Sequence, residues 1–220
     1  MTASAQIIET LKHSPELPEV LDELNKYWQH EKKQRQKFYA DLDEDAKAEF
    51  VEGEVIIHSP ALDRHNQAVH YLSLLMGVFV NMRNNGIVRV EKALVQLTRN
   101  DFEPDICFFG KIKSKKINAN TLFYPAPDFI VEVLSPSTTN LDRVVKKQDY
   151  ELHEVAEYWI IDPLKKEVEQ YILEKRKYKL NLKSKSGIIA SKVLKGFEIP
   201  IKSIFDSKVN MTTLKELIKK

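Results

Sequence analysis

The spacing of apolar positions changes several times along the chain, and each change predicts an element. From residue 1 to about residue 36, Ile7, Ile8 and Leu11, then Val20, Leu21, Leu24 and Trp28, recur at helical intervals. Pro15 and Pro18 interrupt them, so this stretch reads as a polar, broken helical arm. Between Phe50 and Ser59 the run FVEGEVIIHS sets apolar residues on both sides of Gly53 and stops at Pro60, the pattern of a strand or tight hairpin. A helix follows, with Asp63 as its expected N-cap. Ala68, Leu72, Leu75, Met76, Phe79 and Val80 repeat every three to four residues until Asn84, Asn85 and Gly86 end the pattern.

Beyond Gly86 the segments are short and rich in Val, Ile and Phe: IVRVEKALVQLT, then DICFFG after Pro104, then DFIVEVL after Pro127. These predict three strands. Thr138 or Thr139 is positioned to cap a second helix through LDRVVKKQDYELHEV, with Leu141, Val144, Val145 and Leu152 as its apolar face. EYWIIDP predicts a fourth strand. VEQYILE, YKLNLK and IIASKVL predict further antiparallel strands joined by charged turns, and Leu214 to Lys220 a closing helix. The order helix, three strands, helix, strand argues for an α/β fold. We expect an extension over 1–36 and a single domain over 37–220.

Composition adds little to this but excludes much. With 220 residues, 43% of them hydrophobic and 30% charged, the chain can bury one substantial core and is neither fibrous nor disordered. Cys107 is the only cysteine, which rules out an internal disulfide or a cysteine-based zinc site. The acidic N-terminal region and the lack of a long apolar run predict a cytoplasmic protein with no membrane span. A net charge of +2 does not by itself indicate a nucleic-acid partner.

Candidate chemistry begins at DFIVEVL. Phe129, Val131 and Val133 share one face of the predicted strand, and Ile130 and Leu134 flank Glu132 on the other. An ionised carboxylate between two buried faces needs a cation, several donors or a wet cleft. A buried ion pair or a protonated glutamate satisfies the same pattern. Asp105 opens the strand after Pro104, where a neighbouring strand can bring its carboxylate beside Glu132. Two adjacent carboxylates repel, and a hard divalent cation, Mg2+ or Mn2+, relieves the repulsion. The dipeptide also serves as a plain strand-start signal. Lys146 follows Asp142 by four residues and precedes Tyr150 by four, so the three line one side of a helix. As an isolated feature this is equally a surface ion pair.

Taken together, FVEGEVIIHSPA, His65 at the start of a helix, Pro104-Asp105, VEVLSPST, then Asp142, Lys146 and Tyr150, and EYWIIDP resemble the Uma-type endonuclease family. That family lies in the restriction endonuclease-like superfamily named for its PD-(D/E)xK motif. The resemblance runs from about Phe38 to Phe205. It implies a restriction endonuclease-like core and a catalytic set of Asp105, Glu132 and Lys146. A superfamily lysine two residues after the acidic position would fall at Leu134, and Lys146 on the following helix takes its place. The resemblance further implies metal ligation by Asp105, Glu132 and the carbonyl of Val133. Support is expected from Asp142 and Tyr150, and an additional contact from Glu52, His65 or Gln67.

Such an enzyme would use Mg2+ to activate water for DNA phosphodiester hydrolysis. Lys111, Lys113, Lys115 and Lys116, just after the Asp105 strand, are the expected phosphate contacts. A homodimer is compatible with the resemblance. The alternative on the same scaffold is a catalytically silent DNA-binding or regulatory protein.

Overall fold

The computed structural model of the protein describes residues 3–43 and 46–219. Helices α1 (Ala3–Lys12) and α2 (Leu17–Ala40) precede a hairpin of β1 (Ala48–Val51) and β2 (Glu54–Ile57). Helix α3 (Asp63–Arg83) leads to β3 (Gly86–Val90), β4 (Leu94–Gln96), β5 (Asp101–Phe102), β6 (Ile106–Gly110), the short α4 (Lys111–Ser114) and β7 (Phe123–Tyr124). Strand β8 (Phe129–Val133) is followed by a wide π-type turn, Leu141–Lys146, running directly into α5 (Lys147–Leu152). Then come β9 (Glu157–Asp162), β10 (Glu167–Glu174), β11 (Lys177–Ser184), β12 (Ile188–Ala190), β13 (Glu198–Pro200), a 3-10 turn over Ile201–Ile204, and α6 (Ser207–Lys219).

Six strands form one sheet in the order β11-β10-β9-β8-β6-β3, in which only β8 and β9 run parallel. Their connection is the helical segment 139–152, as a parallel pair requires a crossover. A second sheet, β2-β1-β5-β4-β7, covers one face. Strand alternation sorts the core into two sides. Ile106, Phe108, Phe129, Val131, Val133, Trp159 and Ile161 pack with Leu72, Leu75, Met76 and Phe79 of α3. Cys107, Phe109, Ile130, Leu134, Tyr158 and Ile160 pack with Phe102 and Tyr150 on the other side. Each fully buried Leu or Phe contributes roughly 1.5–3 kcal/mol to holding these layers together.

Several elements differ from the sequence reading for identifiable reasons. IVRVEKALVQLT is two strands in two sheets, because Glu91 and Lys92 adopt left-handed backbone angles (φ 52° and 41°) and turn the chain between them. Asp63 is the first helical residue rather than the cap, and Leu62 occupies the cap position without a side-chain bond. Of the four apolar positions expected to bury the second helix, Val144 and Leu152 are exposed. Its buried residues are instead Asp142, Lys146, Asp149 and Tyr150. The closing helix begins earlier, at Ser207, and Lys220 lies outside the described residues. The hairpin from Phe50 turns at Glu52 and Gly53, both at positive φ (52° and 94°), the requirement of a two-residue primed turn.

Helix α2 runs unbroken through residue 36 and is already tied to the rest of the chain before that point. Glu31 accepts two hydrogen bonds from Arg99 at 2.8 Å, and Arg35 donates to both oxygens of buried Asp101 at 2.7 and 2.6 Å. Bidentate guanidinium–carboxylate pairs fix orientation as well as distance. No helix of the described residues is long and apolar enough to cross a membrane.

On β10, Glu169 receives Arg143 at 2.8 Å, the Tyr171 hydroxyl at 2.7 Å and Lys183 at 2.9 Å. Burial alone would raise its pKa, but these partners outweigh it and hold the carboxyl down to about 2. A depressed folded-state value stabilises the fold above the unfolded carboxyl range, and that contribution disappears as pH falls toward about 2. Glu169→Gln should therefore be less stable than the parent at neutral pH. Urea titrations at falling pH should show the two converging, and a constant gap would contradict the assignment.

Candidate active site

Strands β6 and β8 pair antiparallel with Ile106 opposite Val131 and Cys107 opposite Ile130. One step beyond this register, Asp105 stands beside Glu132. Asp105 shares the side of Cys107, and Glu132 the side of Ile130, so the two carboxylates fall on the same face. The backbone links them. The Asp105 amide donates to Glu132 Oε2 at 3.4 Å, and the Val133 amide donates to Asp105 Oδ2 at 2.8 Å. Both side chains line a cavity of about 820 Å³, shared with Lys47, His58, His65, Lys146 and the Ser135–Thr138 loop.

The charges around this pair form two linked groups. Asp105 Oδ1 lies 2.8 Å from Lys47 Nζ, Oδ2 lies 3.2 Å from His65 Nε2, and Lys47 also meets Glu91 at 2.6 Å. Lys146 Nζ lies 2.9 Å from Glu49, 3.2 Å from Glu132 and 3.2 Å from Asp142. Tyr150 donates to Glu132 Oε1 at 2.8 Å, and His58 Nε2 sits 3.0 Å from Glu49 Oε2. Asp142, Lys146 and Tyr150, four residues apart, all turn inward, and the wide turn over Leu141–Lys146 belongs to this polar face.

Proton affinities follow from these contacts. Burial would raise Asp105, but the His65 hydrogen bond and the Lys47 charge overcome it and hold the carboxyl low. Burial would also raise Glu49, which Lys146 and His58 bring down to about 2. Glu132 goes the other way. Its burial dominates Lys146, the neighbouring Asp142, Asp105 and Glu49 add to the effect, and its carboxyl is raised well above the ordinary range. Burial opposes charge on Lys146 as well, yet Glu132, Glu49 and Asp142 keep its pKa far above the usual lysine value. His65 is raised by Asp105 against its own burial.

The sequence candidates thus fall into three groups by position. Asp105, Glu132, Val133, Lys146, Asp142, Tyr150 and His65 lie in or directly against the cluster. Glu52 does not reach it. It sits in the β1–β2 turn, where its carboxylate is exposed and lies 3.8 Å from Arg99. Gln67 is exposed on α3 and bonds Asp63 one turn before it, on the side away from the cavity-lining His65. Lys111, Lys113, Lys115 and Lys116 follow the far end of β6. Six residues of extended chain separate Asp105 from Lys111, roughly 20 Å. Lys113 is engaged there by Asp128 at 2.9 Å and the Pro127 carbonyl at 3.1 Å.

Lys47, Glu49 and His58 were not among the candidates. Their signal was present as strand parity: Lys47, Glu49 and Val51 are alternate residues, and Val51 is a core position, so the two charged residues before it face the same interior. His58 closes the facing strand.

Four buried carboxylates, Glu49, Asp105, Glu132 and Asp142, face two ammonium groups and two imidazoles, and two of their oxygens, Glu49 Oε2 and Asp142 Oδ1, are buried without a hydrogen bond. Such an excess of hard oxygen donors suits a divalent cation. Among the described residues no three His, Cys, Asp or Glu side chains converge into a complete metal cage. A site with one or two carboxylates, completed by water and substrate, fits magnesium better than a metal that demands an all-protein shell.

A sequence profile of the Uma2 family, described as "Putative restriction endonuclease", matches residues 35–202. No curated protein matches the chain. Among solved structures, a protein of Anabaena variabilis described as a "putative nuclease belonging to DUF820" superposes with a TM-score of 0.67 at 17% identity, covering 77% of this chain and 96% of that one. At this identity the likeness is one of fold, and the shared fold is restriction endonuclease-like. The profile spans well over half of the sequence, and the chain belongs to the Uma2 family of restriction endonuclease-like proteins.

Proposed function

We propose that the protein is a Mg2+-dependent endonuclease that hydrolyses DNA phosphodiester bonds. The observation that carries this reading is the pair Asp105 and Glu132, held on one face by the backbone of two adjacent strands and opening into a cavity with two lysines. Asp105, Glu132 and the Val133 carbonyl would hold the ion, with Mn2+ able to substitute. When bound, it supplies a water of lowered pKa and charge neutralisation at the phosphate.

The chain's own groups divide the remaining work. Lys146 is almost wholly buried among three carboxylates, so its role is to hold Glu132 in place and favour its ionised form. Lys47 keeps about 21% of its side chain exposed beside Asp105, and it is the ammonium that an entering phosphate oxygen would meet. Ser135, Ser137 and Thr138 add hydroxyl donors at the rim. Since Lys111 to Lys116 lie beyond the opposite end of β6, DNA gripped there and at the cavity would have to cross the sheet.

Supercoiled plasmid incubated with rising magnesium should be nicked by the parent and left intact by Asp105→Asn and Glu132→Gln, and chelator should abolish cleavage. In parallel, magnesium should raise the melting temperature of the parent and not of Asp105→Asn, because a ligand bound only by the folded state stabilises it. Salt-sensitive DNA retention with no cleavage under any metal would favour the silent binding protein instead.

A further inference from the structure

The outer part of the helical arm is not used by the cluster, the sheets or the family-matched segment, which starts at residue 35. Its hydrogen bonds and ion pairs are local, such as Lys12 to Glu9 and Lys26 to Asp22, until Tyr27 and Glu31 meet Arg99. Leu21, Leu24 and Tyr27 on α2, and Ile7 and Ile8 on α1, each leave more than half of their surface in solvent. Leu17, Leu21, Leu24 and Trp28 are spaced four, three and four residues apart, the seam of an antiparallel or parallel helix pair. A row of this kind on a helix that stands away from its own core calls for a partner.

The charges on the same helix select which partner. Its first half carries Glu19, Asp22 and Glu23, with Glu16 just ahead, and its second half carries Lys26, Lys32, Lys33 and Lys37. The sign reverses near Asn25. A membrane surface would be met by basic residues along the whole polar face, and the acidic first half does not offer that. A parallel pair would bring like charges together. An antiparallel pair brings acid against base along its full length.

We infer that the arm is a self-association surface on which α2 of one molecule lies antiparallel to α2 of a second copy, about a two-fold axis passing beside Leu24. This arrangement sets Leu21 against the partner's Tyr27 and Val20 against the partner's Trp28. It also sets Asp22 against the partner's Lys26 and Glu16 against the partner's Lys32. Each of these contacts occurs twice by symmetry, as in any isologous interface. Anchoring by Arg35–Asp101 and Arg99–Glu31 transmits the pairing to the core, so the two cavities are held in a fixed relation.

Full-length protein studied by light scattering with size exclusion, up to about 100 µM, should be a dimer. Leu21→Glu with Leu24→Glu should be a monomer with unchanged circular dichroism, since both leucines are exposed. Asp22→Lys should raise the dimer dissociation constant by about tenfold or more, and adding Lys26→Asp should recover most of that loss. Leu24→Cys should form a disulfide-linked dimer under mild oxidation, because Cys107 is buried and the two introduced thiols meet at the axis, while Met82→Cys on α3 should not. A monomeric parent, a dimer indifferent to the Leu21 and Leu24 changes, or binding of a monomeric parent to vesicles of phosphatidylglycerol would each overturn the inference.

Discussion

Replacing Lys146 with alanine should destabilise the protein by roughly 3–5 kcal/mol, because it strands three buried carboxylates without their common cation. For a chain of this size the melting temperature should fall by roughly 10 °C. The magnitude rests on geometry. Lys146 Nζ is within 3.2 Å of Glu49, Glu132 and Asp142, all of them essentially out of water. Coupling makes the origin testable. Glu49→Gln in the Lys146→Ala background removes one uncompensated charge, so the double variant should be more stable than Lys146→Ala alone. Lys47→Ala gives the contrast. That side chain is partly solvated and leaves Asp105 with His65 and the Val133 amide, so stability should drop by only about 1–2 kcal/mol while cleavage falls about a hundredfold or more. If Lys146→Ala melts like the parent, the buried cluster does not exist as described.

The parts of this arrangement that sequence made legible are those governed by strand alternation. Phe129, Val131 and Val133 on one side and Ile130, Glu132 and Leu134 on the other follow directly from a period of two, and the two core clusters divide along that line. Asp105 and Glu132 came together for the same reason. The segment 139–152 misled because apolar periodicity was the only criterion applied. Its polar residues are the ones turned inward, where charges find partners, and Val144 and Leu152 are left outside. Lys47 and Glu49 escaped because the strand was read from Phe50 onward, although parity from Val51 reaches them. Glu52 stood in the same stretch but at the turn, where a positive φ carries its side chain away from the sheet face. The lysines after Gly110 were placed by nearness in sequence. A strand is long for its residue count, and five residues of β6 put them at the wrong end of it.

Glu157 shows why a carboxylate in an apolar strand is not by itself a functional signal. EYWIIDP and FIVEVL each bury one, three positions apart in a parallel register and on opposite faces of the sheet. Glu157 meets no cation among the described contacts. Trp159 Nε1 and Gln170 Nε2 donate to one oxygen at 2.6 and 2.7 Å, and Ser191 Oγ with the Lys192 and Val193 amides donate to the other at 2.6, 2.9 and 2.9 Å. Five neutral donors satisfy the charge and tie β9 and β10 to the loop between β12 and β13. Charge-assisted bonds are about twice as strong as neutral ones, and a buried donor left unpaired costs about 1–3 kcal/mol. Glu157→Ala should therefore lose roughly 3–5 kcal/mol even after water enters the space. Glu157→Gln keeps one acceptor oxygen, enough for the three donors of the loop but not for Trp159 and Gln170, and should fall between. Hydrogen exchange should show the loss concentrated over residues 188–200. Because the damage lies across the sheet from Glu132, cleavage per folded molecule should be unchanged at temperatures where both variants remain native. A loss of activity out of proportion to the folded fraction would mean that the two faces of the sheet are mechanically coupled, and Glu157 would then belong to the working machinery rather than to the frame.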